Sequence, residues 1–190
     1  MNSRVRIALF TALMTLPLAG AFADDYADTI AVFQKAGQSA QFFKNSYGYA
    51  VFPTIGKGGA GIGGARGSGM VYEQGKPIGA ATMTQLTFGL QLGGQAYSQV
   101  IFFQDKRALD EFTSGNFEFG AQATAVAVTA GASAQAGSNG ASMGASGGKN
   151  DAKTVGQYNK GMAVFTVAKG GLMYEASIGG QKFKYTPTKP

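Results

Sequence analysis

The distribution of glycine is the feature that most restricts how this chain can fold. The sequence has 30 glycines in 190 residues, which is roughly twice the usual share of about 7%. Each interior glycine costs a helix about 1 kcal/mol relative to alanine. Turns, bulges and close backbone approaches within sheets, by contrast, use glycine readily. We therefore expect a sheet-rich fold in which the helices are short.

Hydrophobic periodicity locates the elements. Residues 82–92 alternate, with Leu86 and Phe88 on one face and Gln85 on the other, which predicts a half-buried strand. Residues 97–103 form an apolar and aromatic run, typical of a strand covered on both faces. Short amphipathic helices are predicted near the N-terminus and in mid-chain, at 24–36, 39–44 and 105–112. The predicted fold class is α+β and β-rich, with a curled antiparallel sheet or partial β-barrel.

Further strands are predicted where apolar runs meet turn signals. The run at 49–52 is expected to end at Pro53, because proline cannot donate a ladder hydrogen bond. Two closing strands, at 161–167 and 172–178, are expected to flank a tight hairpin at 169–171. The predicted total is roughly seven or eight strands.

The first 23 residues have the pattern of a secretory signal peptide. Arg4 and Arg6 supply a positive start, an apolar stretch follows at 7–18, and small residues at 21 and 23 precede the expected cleavage position. The apolar stretch is shorter than the roughly 20 residues that a membrane span needs. We expect cleavage to leave 24–190 as a single domain, which is periplasmic or secreted, or peripheral on the outer membrane.

The sequence has no cysteine and no histidine. These absences exclude disulfide scaffolds, thiolate or imidazole metal sites, cysteine nucleophiles and serine–histidine triads. A literal G-x-G-x-x-G match at 56–61 is followed by more glycines and a strand pattern instead of a helix, so no dinucleotide site is expected. We expect a protein that is not an enzyme and that carries neither a cofactor nor a metal.

Several motifs occur along the chain in an order that characterises one protein family. They are Tyr47-Gly48-Tyr49-Ala50-Val51-Phe52-Pro53, Lys57, Gly63-Gly64, Gly67-x-Gly69-Met70-Val71, Gly89-x-Gln91-x-Gly93-Gly94, Phe117-x-Phe119-Gly120, Val164-Phe165 and Gly171-Leu172-Met173-Tyr174. This succession resembles the SYLF domain family, which occurs in bacterial exported proteins and in eukaryotic endocytic adaptor proteins. The resemblance covers 25–185 and departs from the family pattern at 133–153, a segment rich in Gly, Ser and Ala that predicts a flexible loop.

The resemblance implies a phospholipid-binding module, with phosphoinositide and actin binding in eukaryotic members. For a bacterial exported protein it implies a membrane phospholipid as partner, and we expect neither actin nor nucleic acid. Lys57, after the Phe-Pro turn, and Arg66, between two glycine pairs, are carried over as lipid-binding candidates. A phosphate head group requires this combination of a point charge, a forked donor and nearby backbone amides. The formal net charge of +6 falls to +4 when cleavage removes Arg4 and Arg6, and this balance still favours anionic partners.

Two further pairs of residues are lipid-binding candidates. Phe42 and Phe43, on the second predicted helix, are interpreted either as core residues or as side chains that enter a membrane interface. Lys106 and Arg107, at the start of the mid-chain helix, are interpreted either as solvated surface or as a membrane-facing pair.

Two alternatives to the lipid-binding function stay open. A small outer-membrane β-barrel would fit the alternating strands and glycine-rich turns, although the predicted strands are mostly shorter than the roughly 9–11 residues that a span needs. An envelope structural protein is the other alternative.

Overall fold

The computed structural model describes residues 18–121, 123, 125–127, 157–169 and 178–188. The predicted loop at 133–153, most of the last predicted hairpin and the first 17 residues lie outside this part of the chain. Within it the chain forms three helices and six strands: α1 Leu18–Lys35, α2 Gly37–Asn45, β1 Gly48–Glu73, β2 Lys76–Phe103, α3 Lys106–Thr113, β3 Asn116–Glu118, β4 Val126–Ala127, β5 Met162–Lys169 and β6 Lys182–Pro187. The predicted β-rich α+β class is confirmed.

All six described strands belong to one open and mostly antiparallel sheet. Its order is β3-β6-β2-β5-β4, and β1 pairs with β2 outside this path. β2 joins the two halves of the sheet, because 79–84 pair with β6 and 96–103 pair with β5. Among the described strands, only the short β4 runs parallel to its partner, β5.

The strands β1 and β2 form one long hairpin, with 26 and 28 residues. Its turn is Gln74-Gly75, where φ angles of 49° and 80° are those of a type I′ turn. The prediction that a strand ends at Pro53 is wrong, because β1 continues through this residue. The pairing register shifts between Phe52 and Ile55, and such an irregularity accommodates a residue without an N–H donor.

The hairpin folds back on itself, so that the two halves of β1 pack against each other. A Cβ atom added at Gly69 would lie 2.6 Å from the ring of Phe52 and 2.7 Å from the carbonyl oxygen of Val51. Only glycine permits so close an approach. The ladder that joins β1 to β2 has a register shift between Gly59 and Gly61, at the point where the two halves of β1 meet. Such a bulge bends a strand.

Two clusters of buried side chains lie on opposite faces of the sheet, because neighbouring residues of β2 belong to different clusters. Ile101 belongs to the cluster inside the folded hairpin, which α3 joins through Leu109 and Phe112. Phe102 belongs to the cluster that α1 and α2 cover, through residues such as Phe33. The sheet therefore separates the interior of the folded hairpin from the helices α1 and α2.

The mid-chain helix is confirmed as α3. Asp105 is its N-cap and accepts a hydrogen bond from the backbone N–H of Ala108 at 2.8 Å. Leu109 and Phe112 are buried, as their spacing predicts. None of the helices in the described part of the chain combines the length and apolar character needed to cross a bilayer.

Candidate functional site

The β1–β2 hairpin exposes two large apolar side chains. Ile62 is 67% exposed and Leu86 is 73% exposed. Ile62 pairs with Phe88 and Gly64 pairs with Leu86, so the two exposed residues lie on one face of the hairpin as diagonal neighbours. We call this surface the outer hairpin face and define it by Ile62, Gly64 and Arg66 of β1 and Thr84 and Leu86 of β2.

Burial alternates over 82–86, the part of this stretch whose side chains the structure describes, but the apolar side chain at 86 faces out and the polar one at 85 faces in. A half-buried strand ordinarily buries its apolar face, yet Leu86 is exposed and Gln85 is buried. The buried amide of Gln85 is satisfied, because Nε2 donates a hydrogen bond to the carbonyl oxygen of Gly179 at 3.0 Å. The inner face at this point therefore holds a polar side chain with a partner.

Close packing inside the folded hairpin fixes this orientation. A Cβ atom at Gly67 would lie 2.6 Å from Cγ1 of Ile55 and 2.9 Å from the carbonyl oxygen of Thr54. The inner positions beside Ile55 consequently hold small residues, namely Gly63, Ala65 and Gly67, all of them buried. The larger side chains of this stretch are left on the outer hairpin face.

Arg66 lies on the outer hairpin face, opposite Thr84, and is exposed. It forms no salt bridge with any residue that the structure describes. A guanidinium can donate two parallel hydrogen bonds to a phosphate. The face thus combines an exposed cation with two exposed apolar side chains.

Lys57 lies in another part of the hairpin. It pairs with Gln95 and is partly exposed, and it shares its face of β1 with the buried Ile55. Arg66 lies beyond the register shift between Gly59 and Gly61, on the outer hairpin face, next to the inward-facing Gly67. The structure therefore does not bring Lys57 and Arg66 together on one face, and we assign them no common phosphate.

Lys106 and Arg107 are exposed, but both have acidic partners on α3. Nζ of Lys106 lies 2.7 Å from Asp110, and Nη1 of Arg107 lies 3.4 Å from Glu111. The hydrogen bond to Asp110 raises the pKa of Lys106. Each of the two positive charges thus has an acidic partner on the same helix. This arrangement agrees with the interpretation of the pair as solvated surface.

Phe42 lies in the core, which agrees with the first of its two interpretations. It is 5% exposed and stacks on Phe102 with 5.4 Å between ring centroids. Phe43 is half-buried and meets Phe102 edge-on at 4.8 Å. Both rings pack α2 onto the sheet, as expected for the apolar face of an amphipathic helix.

A buried polar cluster lies inside the folded hairpin, and sequence reasoning missed it. The side-chain amides of Gln99 and Gln181 bond reciprocally, at 2.9 and 3.1 Å, and Gln181 Nε2 also donates to the hydroxyl of Tyr97 at 3.1 Å. Burial raises the pKa of Tyr97 to about 12, against the opposing effect of this hydrogen bond. The available signal was the position of Gln99 in a run predicted to be buried on both faces.

These features define a class of protein: a β-rich α+β domain built around one folded hairpin, with an exposed apolar and cationic face. Among its described residues, no three acidic side chains group as a metal site would require. A family model described as Ysc84, Las17-binding protein actin regulator, matches residues 84–186. The chain belongs to this Ysc84 (SYLF) family, so the resemblance seen in the sequence is confirmed.

One curated relative is Beta cell expansion factor A of Aeromonas veronii. It is 30% identical to this chain over 163 residues, which cover 83% of this chain and 53% of the relative. The chain thus spans about half the length of the relative that it matches.

Proposed function

We propose that this chain is an exported phospholipid-binding domain that contacts anionic membranes through the outer hairpin face. The observation that carries the proposal is the exposure of Ile62 and Leu86 beside Arg66 on one face. Single exposed apolar residues are ordinary on soluble proteins. An apolar patch next to a cation is, by contrast, typical of a surface that enters a membrane interface. The proposed role is therefore binding and not catalysis.

The expected affinity of this face for a membrane is modest. Complete burial of an isoleucine or leucine side chain contributes about 1.5–3 kcal/mol. Since neither Ile62 nor Leu86 is fully exposed, we take about 1–2 kcal/mol for each. One arginine at an anionic bilayer adds about 1 kcal/mol. The sum, about 3–5 kcal/mol, corresponds to reversible binding that weakens as salt screens the charge.

Charge and family membership both support a lipid partner. The formal net charge of +6, which falls to +4 when residues 1–23 are removed with Arg4 and Arg6, favours an anionic surface, and the SYLF resemblance implies phospholipid binding. The description of the family names an actin regulator. We propose a lipid surface and not actin, because the predicted export would separate this chain from cytoplasmic actin.

Vesicle flotation of the full chain tests the proposal. We expect the chain to float with vesicles that contain phosphatidylglycerol and to bind weakly to vesicles of phosphatidylcholine alone. The double variant Ile62→Ser with Leu86→Ser should lower binding by at least about tenfold. Arg66→Gln should lower it by about fivefold and reduce its salt dependence. Lys106→Gln is the matched control, since this cation already has an acidic partner, and it should change binding by less than about twofold.

Two results would contradict the proposal. One is the absence of binding to phosphatidylglycerol vesicles at low salt. The other is a double Ile62→Ser and Leu86→Ser variant that binds as well as the original chain, because both side chains are exposed and their replacement should leave the fold intact.

We also propose that the chain is exported and is periplasmic, secreted or peripherally attached to the outer membrane. The support is the signal-peptide pattern of residues 1–23. N-terminal sequencing of the chain recovered from envelope fractions should give a protein that begins at Asp24. Recovery of a chain that retains residues 1–23 would contradict the proposal.

A further inference from the structure

A cavity of about 370 Å³ lies between the segment that contains β3 and the beginning of β5. Its walls are mainly apolar and include Phe117, Phe119, Val164, Phe165 and Ile178. Small-molecule sites measure about 300–1,000 Å³ and combine such walls with a few polar groups. At roughly 30 Å³ for each water-sized group, the cavity has room for on the order of ten non-hydrogen atoms. These dimensions suit one alkyl chain of medium length.

Among the described residues at the rim of the cavity, one lysine has no acidic partner within salt-bridge distance. Glu111 lies 3.4 Å from Arg107, and Glu118 lies 3.6 Å from Lys182, so both carboxylates have a cationic partner. Lys160 also lines the cavity. In the described part of the chain it has no acidic partner within salt-bridge distance. An anionic head group would therefore be favoured at this rim.

The backbone holds Lys160 in a conformation that lysine rarely adopts. The φ angles of Lys160 and Gly161 are 52° and 82°, as in a type I′ turn. Asn159 and Met162 close this turn with reciprocal backbone hydrogen bonds of 2.9 and 3.0 Å. Asparagine or glycine is the usual residue where Lys160 stands, and the left-handed conformation costs another residue about 1–2 kcal/mol. Strain of this kind is concentrated at functional sites.

We propose that this cavity binds an amphipathic carboxylate with a single alkyl chain. The alkyl chain would lie among the phenylalanine rings, and the ammonium group of Lys160 would pair with the carboxylate. The proposal does not depend on the proposed membrane contact, because no residue of the outer hairpin face lines the cavity. Either one can fail without the other.

Calorimetric titration of the full chain with three probes that share a ten-carbon tail tests the charge preference. The probes are decanoate, decanol and decyltrimethylammonium, each below its aggregation concentration. We expect decanoate to bind at least about tenfold more tightly than decyltrimethylammonium, with decanol between them. The absence of decanoate binding, or equal affinity for the three probes, would overturn the proposal.

Filling the cavity with a larger side chain tests whether decanoate binds there. Ala123 lines the cavity, so Ala123→Leu should lower the affinity for decanoate by at least about tenfold. Ala27→Leu, an equal change at an exposed position of α1, should leave this affinity unaltered. Thermal unfolding of each variant before titration establishes that it is folded. If folded Ala123→Leu binds decanoate as tightly as the original chain does, the cavity is not the site.

Replacing Lys160 separates binding from stability. Asparagine tolerates the left-handed conformation, so Lys160→Asn should unfold at the same or a higher temperature while losing the preference for decanoate over decanol. Gln74→Asn is the matched control, since Gln74 has a φ of 49° at the equivalent position of the β1–β2 turn, and it should keep that preference. A folded Lys160→Asn that retains the preference would refute the role of Lys160. Vesicle flotation should be unchanged in both cavity variants, which distinguishes this proposal from the membrane contact.

Discussion

Replacing Gly67 by alanine should destabilise the folded hairpin by an amount that follows from its surroundings. The added Cβ would lie 2.6 Å from Cγ1 of Ile55, 2.9 Å from the carbonyl oxygen of Thr54 and 3.3 Å from Cα of Ile55. The first contact can relax by side-chain rotation. The other two involve backbone atoms, so the two halves of β1 would have to separate. Overpacking costs about 1–3 kcal/mol, and we expect about 2–3 kcal/mol here because backbone must move.

Gly56→Ala on the same strand is the control for this change. No atom lies within 4 Å of a Cβ built at Gly56. Alanine at such a site restricts the unfolded chain and stabilises the protein by about 0.4–1 kcal/mol. Urea titration and thermal unfolding, both followed by circular dichroism, measure the difference. For a chain of this size about 2–4 °C corresponds to 1 kcal/mol, so Gly67→Ala should melt about 4–12 °C below the original chain.

Equal stability of the Gly67→Ala and Gly56→Ala variants would refute the direct packing of the two halves of β1. The definition of the outer hairpin face would fail with it. Gly67 is an inner position because Ile55 lies against it, and that contact decides which face of the hairpin carries Leu86. A stability measurement on a glycine thus also tests the geometry of the candidate site.

Three further changes are predicted to alter stability. Asp105→Ala removes the hydrogen bond that caps α3 at the N–H of Ala108, and the free energy of unfolding in urea should fall by about 1 kcal/mol. Gln181→Leu leaves the buried side chains of Gln99 and Tyr97 without this partner, and the free energy of unfolding in urea should fall by about 2–4 kcal/mol. A fall of less than about 1 kcal/mol would contradict this expectation. Because the pKa of Tyr97 is raised to about 12, its stabilising contribution is present below its unfolded pKa of about 10 and is lost as the pH rises towards 12. The unfolding free energy of Tyr97→Phe should therefore decline less steeply than that of the original chain over this pH range, and equal slopes would count against the buried state of this hydroxyl.

Elements whose determinants are close together in sequence could be predicted from the sequence. The helix α3 has its cap at Asp105 and its buried residues at Leu109 and Phe112, so one stretch of chain contains the whole signal. β6 is similar, because Phe183 is buried between exposed neighbours and the alternation is visible in a few residues. The fold class depends on many such local signals, which explains why it was predicted correctly.

Orientation could not be predicted, because it depends on contacts between residues far apart in the sequence. The alternation of apolar and polar residues along 82–92 identifies a strand but does not indicate which face of the strand is buried. The contact of Gly67 with Ile55 and the hydrogen bond from Gln85 to Gly179 decide that question, and neither is visible in a local pattern. Phe42 presents the same difficulty, because the helical spacing of an apolar residue predicts a buried face and a membrane-facing one equally well.

The reversed orientation bears on why the outer hairpin face is the strongest candidate site. Close packing explains why the inner positions are small, but it places no demand on the outer positions. Ile62 contributes some β-propensity, whereas Leu86 is 73% exposed and belongs to neither of the two buried clusters of the described residues. A polar residue at either position would leave the core described above intact. The apolar character of this face is thus not required by the stability of the fold, and a surface that covers it, such as a membrane interface, would supply the missing reason.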